Sequence, residues 1–128
     1  NLVSKGLFDE QTLSFKEIIE NEIFVVNIFA SWCAPCKIEH PFLMQIKNEN
    51  IKIIGINYKD SSFNAKRFLK KYKNPYKEVL VDQKGQLSIN LGAFGVPETF
   101  LVDKNFVILD KHIGPINESF VQKVIKLK

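Results

Sequence analysis

Ile23-Phe-Val-Val-Asn-Ile-Phe-Ala-Ser-Trp-Cys-Ala-Pro-Cys-Lys37 joins an apolar run directly to a pair of cysteines. The run from Ile23 to Ala30 is broken only by Asn27 and is rich in β-formers, as in a central strand covered on both faces. From Ala34 to about Lys47, Ile38, Phe42, Leu43 and Ile46 recur at helical spacing. The strand therefore runs into a helix whose start holds both thiols. Pro41 falls inside that helix and is expected to kink it.

Cys33 and Cys36 are the only cysteines in the chain. Two thiols at this spacing can close a small disulfide ring and reopen it without refolding, which is the chemistry of thiol–disulfide exchange. A helix N-terminus offers unpaired N–H groups and a positive dipole end, both of which favour a thiolate over a thiol. Cys33 is thus the expected attacking sulfur. Cys36, one turn further in and more buried, resolves the mixed disulfide. A structural role is a poor alternative, because so small a ring constrains little of the unfolded chain. A zinc site wants four ligands, and only His40 and His112 could complete one. Haem attachment needs a histidine directly after the second cysteine, where this chain has Lys37.

Outward from this motif the chain reads as one α/β domain over residues 1–128, with residues 1–12 an irregular lead-in. Ser14 caps a short helix carrying Phe15, Ile18 and Ile19. A second apolar strand spans residues 51–58, so the first strand, helix and second strand form a βαβ unit with parallel strands. Ala65, Phe68, Leu69 and Tyr72 mark a helix capped near Asp60 or Ser61 and ended by Asn74-Pro75-Tyr76. Residues 78–81 form a short strand, 82–85 a turn and 87–91 one helical turn. Residues 99–103 and 106–113 form an antiparallel hairpin. Asn117 caps a last helix with Phe120, Val121, Val124 and Ile125 inward. The sum is a central mixed sheet with helices on both faces.

Composition excludes other classes. The 128 residues are 45% hydrophobic and 25% charged, ordinary for a globular domain. No apolar run approaches the ~18 residues a membrane span needs. The net charge is +4, with a basic stretch of Lys66, Arg67, Lys70, Lys71, Lys73 and Lys77. It reads as a solvated helix face, since the arginine forks and exposed aromatic platforms of nucleic-acid readers are missing. No phosphate-loop, dinucleotide, nucleophile-elbow or zinc-protease pattern occurs.

Gly95-Val96-Pro97 stands before the hairpin. With Trp-Cys-x-Pro-Cys at a strand-to-helix junction and Pro41 five residues after Cys36, it makes roughly residues 13–127 resemble the thioredoxin fold. Four blocks narrow the match: Phe29-Ala-Ser-Trp-Cys-Ala-Pro-Cys-Lys-Ile-Glu-His40, Gly55-Ile-Asn-Tyr-Lys-Asp60, Asn74-Pro-Tyr76 and Leu91-Gly-Ala-Phe-Gly-Val-Pro-Glu-Thr-Phe-Leu-Val-Asp103. They resemble the periplasmic thiol:disulfide interchange proteins of cytochrome c maturation, the DsbE/CcmG type.

That resemblance implies a cis Pro97 facing the cysteines, with Val96 and Trp32 helping to dock the partner chain. It implies a reductant that takes electrons from a membrane donor protein. Those electrons pass to the disulfide of apocytochrome c or of a maturation partner, with no diffusible cofactor, no metal and no nucleic acid. It implies a monomer in the periplasm, tethered to the inner membrane by an N-terminal anchor. The first residue, Asn1 rather than Met, fits the removal of such a segment. Ordinary thioredoxins carry a buried aspartate six residues before the first cysteine, and here that position is Asn27. Glu39 and Glu98 are the replacement candidates for tuning the thiols. A carboxylate there opposes the helix dipole, and the sequence leaves the net direction open. Two alternatives stay open as well. One is an oxidising or general disulfide oxidoreductase on the same fold. The other is a copper carrier using Cys33, Cys36 and a histidine.

Overall fold

The computed structural model of the chain describes residues 3–8 and 11–128. Its elements are β1 (Val3–Lys5), β2 (Thr12–Ser14), α1 (Phe15–Ile19), β3 (Phe24–Phe29), α2 (Ala34–Asn48), β4 (Lys52–Tyr58), α3 (Ser62–Tyr72), β5 (Glu78–Asp82), α4 (Gln86–Leu91), β6 (Glu98–Val102), β7 (Ile108–Ile113) and α5 (Glu118–Leu127). Five strands form one sheet in the order β5-β4-β3-β6-β7. β3, β4 and β5 run parallel, while β6 is antiparallel to β3 and β7 to β6. This is the mixed sheet expected from the element order.

All six residues of β3 are buried, as its near-continuous apolar run requires of a central strand. One face of the sheet packs Val25, Phe29, Ile53 and Leu101 against α2, α3 and α5. The other packs Phe24, Val26, Ile28, Ile54, Ile56 and Phe100 against α1 and the α4 segment. Burying each of these large side chains contributes about 1.5–3 kcal/mol. Caps follow the sequence signals: the side chains of Ser14, Ser61 and Asn117 accept the backbone N–H of Glu17, Asn64 and Phe120. Ser61 takes the cap of α3, which leaves the Asp60 side chain free for another task. α2 continues through Pro41 as far as Asn48.

The lead-in departs from expectation. β1 and β2 pair antiparallel, with Ser4 opposite Leu13. Leu7 N–H donates to the Val79 carbonyl at 2.8 Å, and Ser4 Oγ to the Val81 carbonyl at 2.6 Å. The hairpin thus covers the open edge of β5, and an unpaired edge strand is what a sheet protein must guard. Its three-residue strands are too short to show a period. Residues 1–2 and 9–10 of the lead-in lie outside the described residues.

Candidate active site

Residues 30–33 leave the end of β3 and deliver Cys33 to the N-cap of α2, with Pro35 in the first turn, where its missing N–H costs nothing. Cys33 and Cys36 are joined in a disulfide with Cα atoms 5.4 Å apart. The Cys36 N–H points at Cys33 Sγ at 3.2 Å. After reduction the same amide and the helix dipole favour negative charge on Cys33. Both sulfur-bearing residues are buried, Cys36 the more so, at 1% exposure against 4%. Trp32 beside them is 58% exposed, its Nε1 donating to the Lys59 carbonyl at 3.0 Å.

The loop holding Trp32 is clamped by Asp60. Its carboxylate accepts the Ser31 N–H at 2.7 Å, Ser31 Oγ at 2.8 Å, Asn57 Nδ2 at 3.1 Å and its neighbour Ser61 N–H at 2.8 Å. The Gly-Ile-Asn-Tyr-Lys-Asp block therefore stations a buried, saturated carboxylate at the end of β4, next to the redox loop. Read from sequence, Asp60 is only a possible helix cap.

The resemblance implies a cis Pro97. The Val96–Pro97 bond is cis. Ile28 pairs with Glu98 in the β3–β6 register, so one step further sets Pro97 level with Phe29, at the end of β3 where the redox loop begins. Val96 is half-buried between the two core clusters.

The two candidate glutamates separate. Glu39 is fully buried on the same face of α2 as Cys36. Its carboxylate accepts Asn27 Nδ2 at 2.8 Å and the Ile116 N–H at 3.1 Å. Asn27 also donates to Thr99 Oγ1 at 3.0 Å and accepts the Tyr76 hydroxyl at 2.6 Å. Tyr76 stacks on Phe29, ring centroids 4.7 Å apart, directly over Gly55, where a Cβ would lie 2.9 Å from the Tyr76 ring. Asn74-Pro75-Tyr76 thus does more than end a helix, since it lowers a hydroxyl onto Asn27. Burial raises the Glu39 carboxyl to about 7, against the lowering effect of its two hydrogen bonds. Burial, then the charge of Glu39, pushes the Tyr76 phenol well above its usual value.

Glu98 takes different partners from Glu39. Strand residues alternate between faces, and Thr99 already points to the Asn27–Glu39 side. Glu98 turns the other way. Its Oε2 accepts the N–H groups of Phe94 and Gly95 at 2.7 and 2.9 Å, and its Oε1 lies 3.2 Å from Lys111 Nζ. It shapes the loop before Pro97, from which Phe94 projects with 88% exposure.

The histidines do not complete a metal site. His40 is buried with Nε2 2.6 Å from the Lys73 carbonyl, and His112 Nε2 lies 2.9 Å from the Pro115 carbonyl. Among the described residues no group of three or more His, Cys, Asp or Glu side chains is gathered to hold a metal ion.

The site is thus a disulfide at a helix N-cap, with a cis-proline directly before the neighbouring strand. The redoxin family model matches residues 5–125. This chain belongs to the redoxin family. It is 38% identical over 120 residues to the thiol:disulfide interchange protein DsbE of Haemophilus influenzae, covering 94% of this chain and 66% of that protein. It is 45% identical over 98 residues to the thiol:disulfide interchange protein CycY of Rhizobium leguminosarum bv. viciae, covering 76% and 53%. The redoxin thus spans about half to two thirds of the length of these relatives. A DsbF homologue from Corynebacterium diphtheriae superposes with a TM-score of 0.86 at 25% identity, covering 99% of this chain and 83% of that one. Among the described residues of this redoxin, no helix is long and apolar enough to cross a membrane.

The raised Glu39 carboxyl has a thermodynamic consequence for the oxidised form. Below pH 4.5 it is protonated in both folded and unfolded chains. Between 4.5 and about 7 the unfolded chain gives up the proton while the folded one keeps it, so stability falls as pH rises through that window and then levels. The full loss is about 3 kcal/mol. His40 works in the opposite sense. Burial lowers its pKa below 6.5, so stability is lost as pH falls through that region. Urea unfolding of the oxidised protein and of Glu39→Gln at pH 5 and pH 8 isolates the first effect. The variant is expected to lack the decline, and equal pH slopes in the two proteins would rule it out.

Proposed function

We propose that this redoxin is a thiol:disulfide oxidoreductase that works as a periplasmic reductant in cytochrome c maturation. The observation that carries the reading is the Cys33–Cys36 disulfide capping α2, level with cis Pro97. The four sequence blocks shared with the DsbE/CcmG type and the names of the relatives support the narrower role.

In the reduced form the Cys33 thiolate attacks one sulfur of a partner disulfide. A mixed disulfide forms and the partner's other sulfur leaves as thiolate. The Cys36 thiol loses its proton and attacks Cys33 Sγ. The second partner sulfur departs, the partner gains two electrons, and the Cys33–Cys36 disulfide is restored. Glu39, three residues beyond Cys36 on the same buried helix face, is the group that takes up the Cys36 proton. A carboxyl titrating at about 7 is matched to that transfer near neutral pH. Trp32, Val96 and Pro97 line the docking surface for the partner chain, and Glu98 holds the loop that presents it.

The partner is the disulfide of apocytochrome c or of a maturation protein, and a membrane electron-donor protein re-reduces the dithiol. The redoxin acts as a monomer, tethered to the inner membrane by a preceding segment. Equilibration with glutathione buffers tests the direction of flow. A reduction potential well below the glutathione couple, together with reduction of an apocytochrome c peptide carrying Cys-x-x-Cys-His as a disulfide, is the expected result. A potential near that of strong oxidants, about −120 mV, would make it an oxidising foldase instead.

A further inference from the structure

The basic stretch of α3 does not simply face solvent. Arg67, Lys70 and Lys71 stand on the side of α3 turned toward the start of α2. With Ser31, Trp32, Lys37, Phe68 and Tyr72 they line a groove of about 650 Å³ that opens beside the redox loop. Its floor is aromatic, with Phe68 buried and Tyr72 half-buried. Its rim carries four cations, and no carboxylate lines it. The ion pairs among the described residues are Lys52–Glu20, Lys111–Glu98 and Lys123–Asp110, so none neutralises this rim.

Helix stability does not account for the grouping. Arg67 and Lys70, and Arg67 and Lys71, are like-charge pairs at i,i+3 and i,i+4, which disfavour a helix slightly. Lys70 and Lys71 gain from the C-terminal end of the α3 dipole, but Lys37 lies in the first turn of α2, where a cation is opposed and no acidic residue offsets it. The cations are also partly organised. Arg67 packs over the Phe63 ring at 5.6 Å and Lys71 over Tyr72 at 5.3 Å.

We propose that this groove docks an acidic polypeptide segment flanking the disulfide of the redox partner, with carboxylates on the Lys37–Arg67–Lys70–Lys71 rim and an apolar side chain on the Phe68–Tyr72 floor. This rests on the oxidoreductase reading and adds the charge of the partner to it. Charge complementarity and continuity favour a polypeptide. Trp32 belongs both to the groove and to the redox loop, so a chain lying in the groove passes directly to Cys33. A membrane surface pressed on the same cations would instead cover Cys33 and block exchange.

Trp32 is the only tryptophan and reports on the groove directly. A synthetic peptide with Asp and Glu flanking a Ser-x-x-Ser core is titrated against Trp32 fluorescence at low ionic strength, beside a peptide with neutral flanks. The acidic peptide is expected to bind roughly 10-fold tighter, with the preference lost in 0.5 M salt and in Arg67→Gln/Lys70→Gln/Lys71→Gln. All three substitutions are at exposed helix positions. With the cysteines restored in the peptides as disulfides, the reduced protein should react roughly 10-fold faster with the acidic one, again only with the three cations present. Equal binding of the two peptides, or a preference that survives the triple variant, overturns the proposal. So does retention on phosphatidylglycerol vesicles through these three residues without peptide binding. Binding with no reduction of either peptide would leave the groove standing and refute the oxidoreductase reading alone.

Discussion

A Cys36→Ser variant, reduced and mixed with a disulfide-bearing partner peptide, is expected to stop after one step. It should accumulate a one-to-one mixed disulfide on Cys33, while Cys33→Ser accumulates none. The asymmetry comes from where the helix starts. Cys33 is the N-cap residue, and the amide of Cys36 is directed at its sulfur at 3.2 Å, so negative charge placed there meets a donor and the positive end of α2. Cys36 lies three residues further on, on the buried face with Glu39, Leu43 and Ile46, and its own amide serves Cys33. Without Cys33 the protein has no activated nucleophile, and turnover should fall to the rate of uncatalysed exchange. Without Cys36 the nucleophile survives but nothing displaces the partner. Intact-mass analysis under non-reducing conditions distinguishes the two. An adduct on Cys33→Ser and none on Cys36→Ser would reverse the assigned roles.

Asn27→Asp is expected to cost more stability than any other isosteric change in the site, and to do so in a pH-dependent way. Asn27 Nδ2 lies 2.8 Å from Glu39 Oε2, with both groups fully buried. An aspartate there replaces a donor with a second carboxylate oxygen. At pH 8 the pair must either hold two charges in contact without water or keep a proton against the solution. The penalty expected is about 3–5 kcal/mol, typical of an uncompensated buried charge. At pH 5 one shared proton bridges the oxygens and most of the penalty disappears. The pair's folded-state affinity for that proton exceeds the unfolded one, so stability is present at low pH and lost as pH rises. Urea unfolding of the oxidised variant at the two pH values checks this, and a penalty independent of pH would reject it.

The same site shows which residues sequence patterns reveal. Cys33, Cys36 and Pro97 were legible because each marks a local event: a helix start, a ring of fixed spacing, an X-Pro bond before a strand. Asn27 stood out as the one polar residue in an apolar run. Tyr76 and Thr99 did not, although both bond to Asn27, because their spacings of 49 and 72 residues carry no periodic signal. Asp60 read as a cap because Ser61, which does the capping, is its neighbour. Its actual partner, Ser31, is 29 residues away.

By itself, then, the amino-acid order determined what short range can determine: the α/β element order, the buried strand feeding a helix and the thiol pair at its N-terminus. Those follow from hydrophobic period, capping and dipole, which act within a few residues. Only the tertiary structure decided which carboxylate is buried on the Cys36 face of α2. Glu39 and Glu98 are both candidates on paper, but strand alternation sends Glu98 to the Phe94–Gly95 loop and Lys111, while the helix face sends Glu39 inward beside Asn27. It also decided that a hairpin guards β5 and that cations from α2 and α3 meet around Trp32. Each of these depends on which surfaces come together when the sheet is covered, and that is settled by packing across the whole chain.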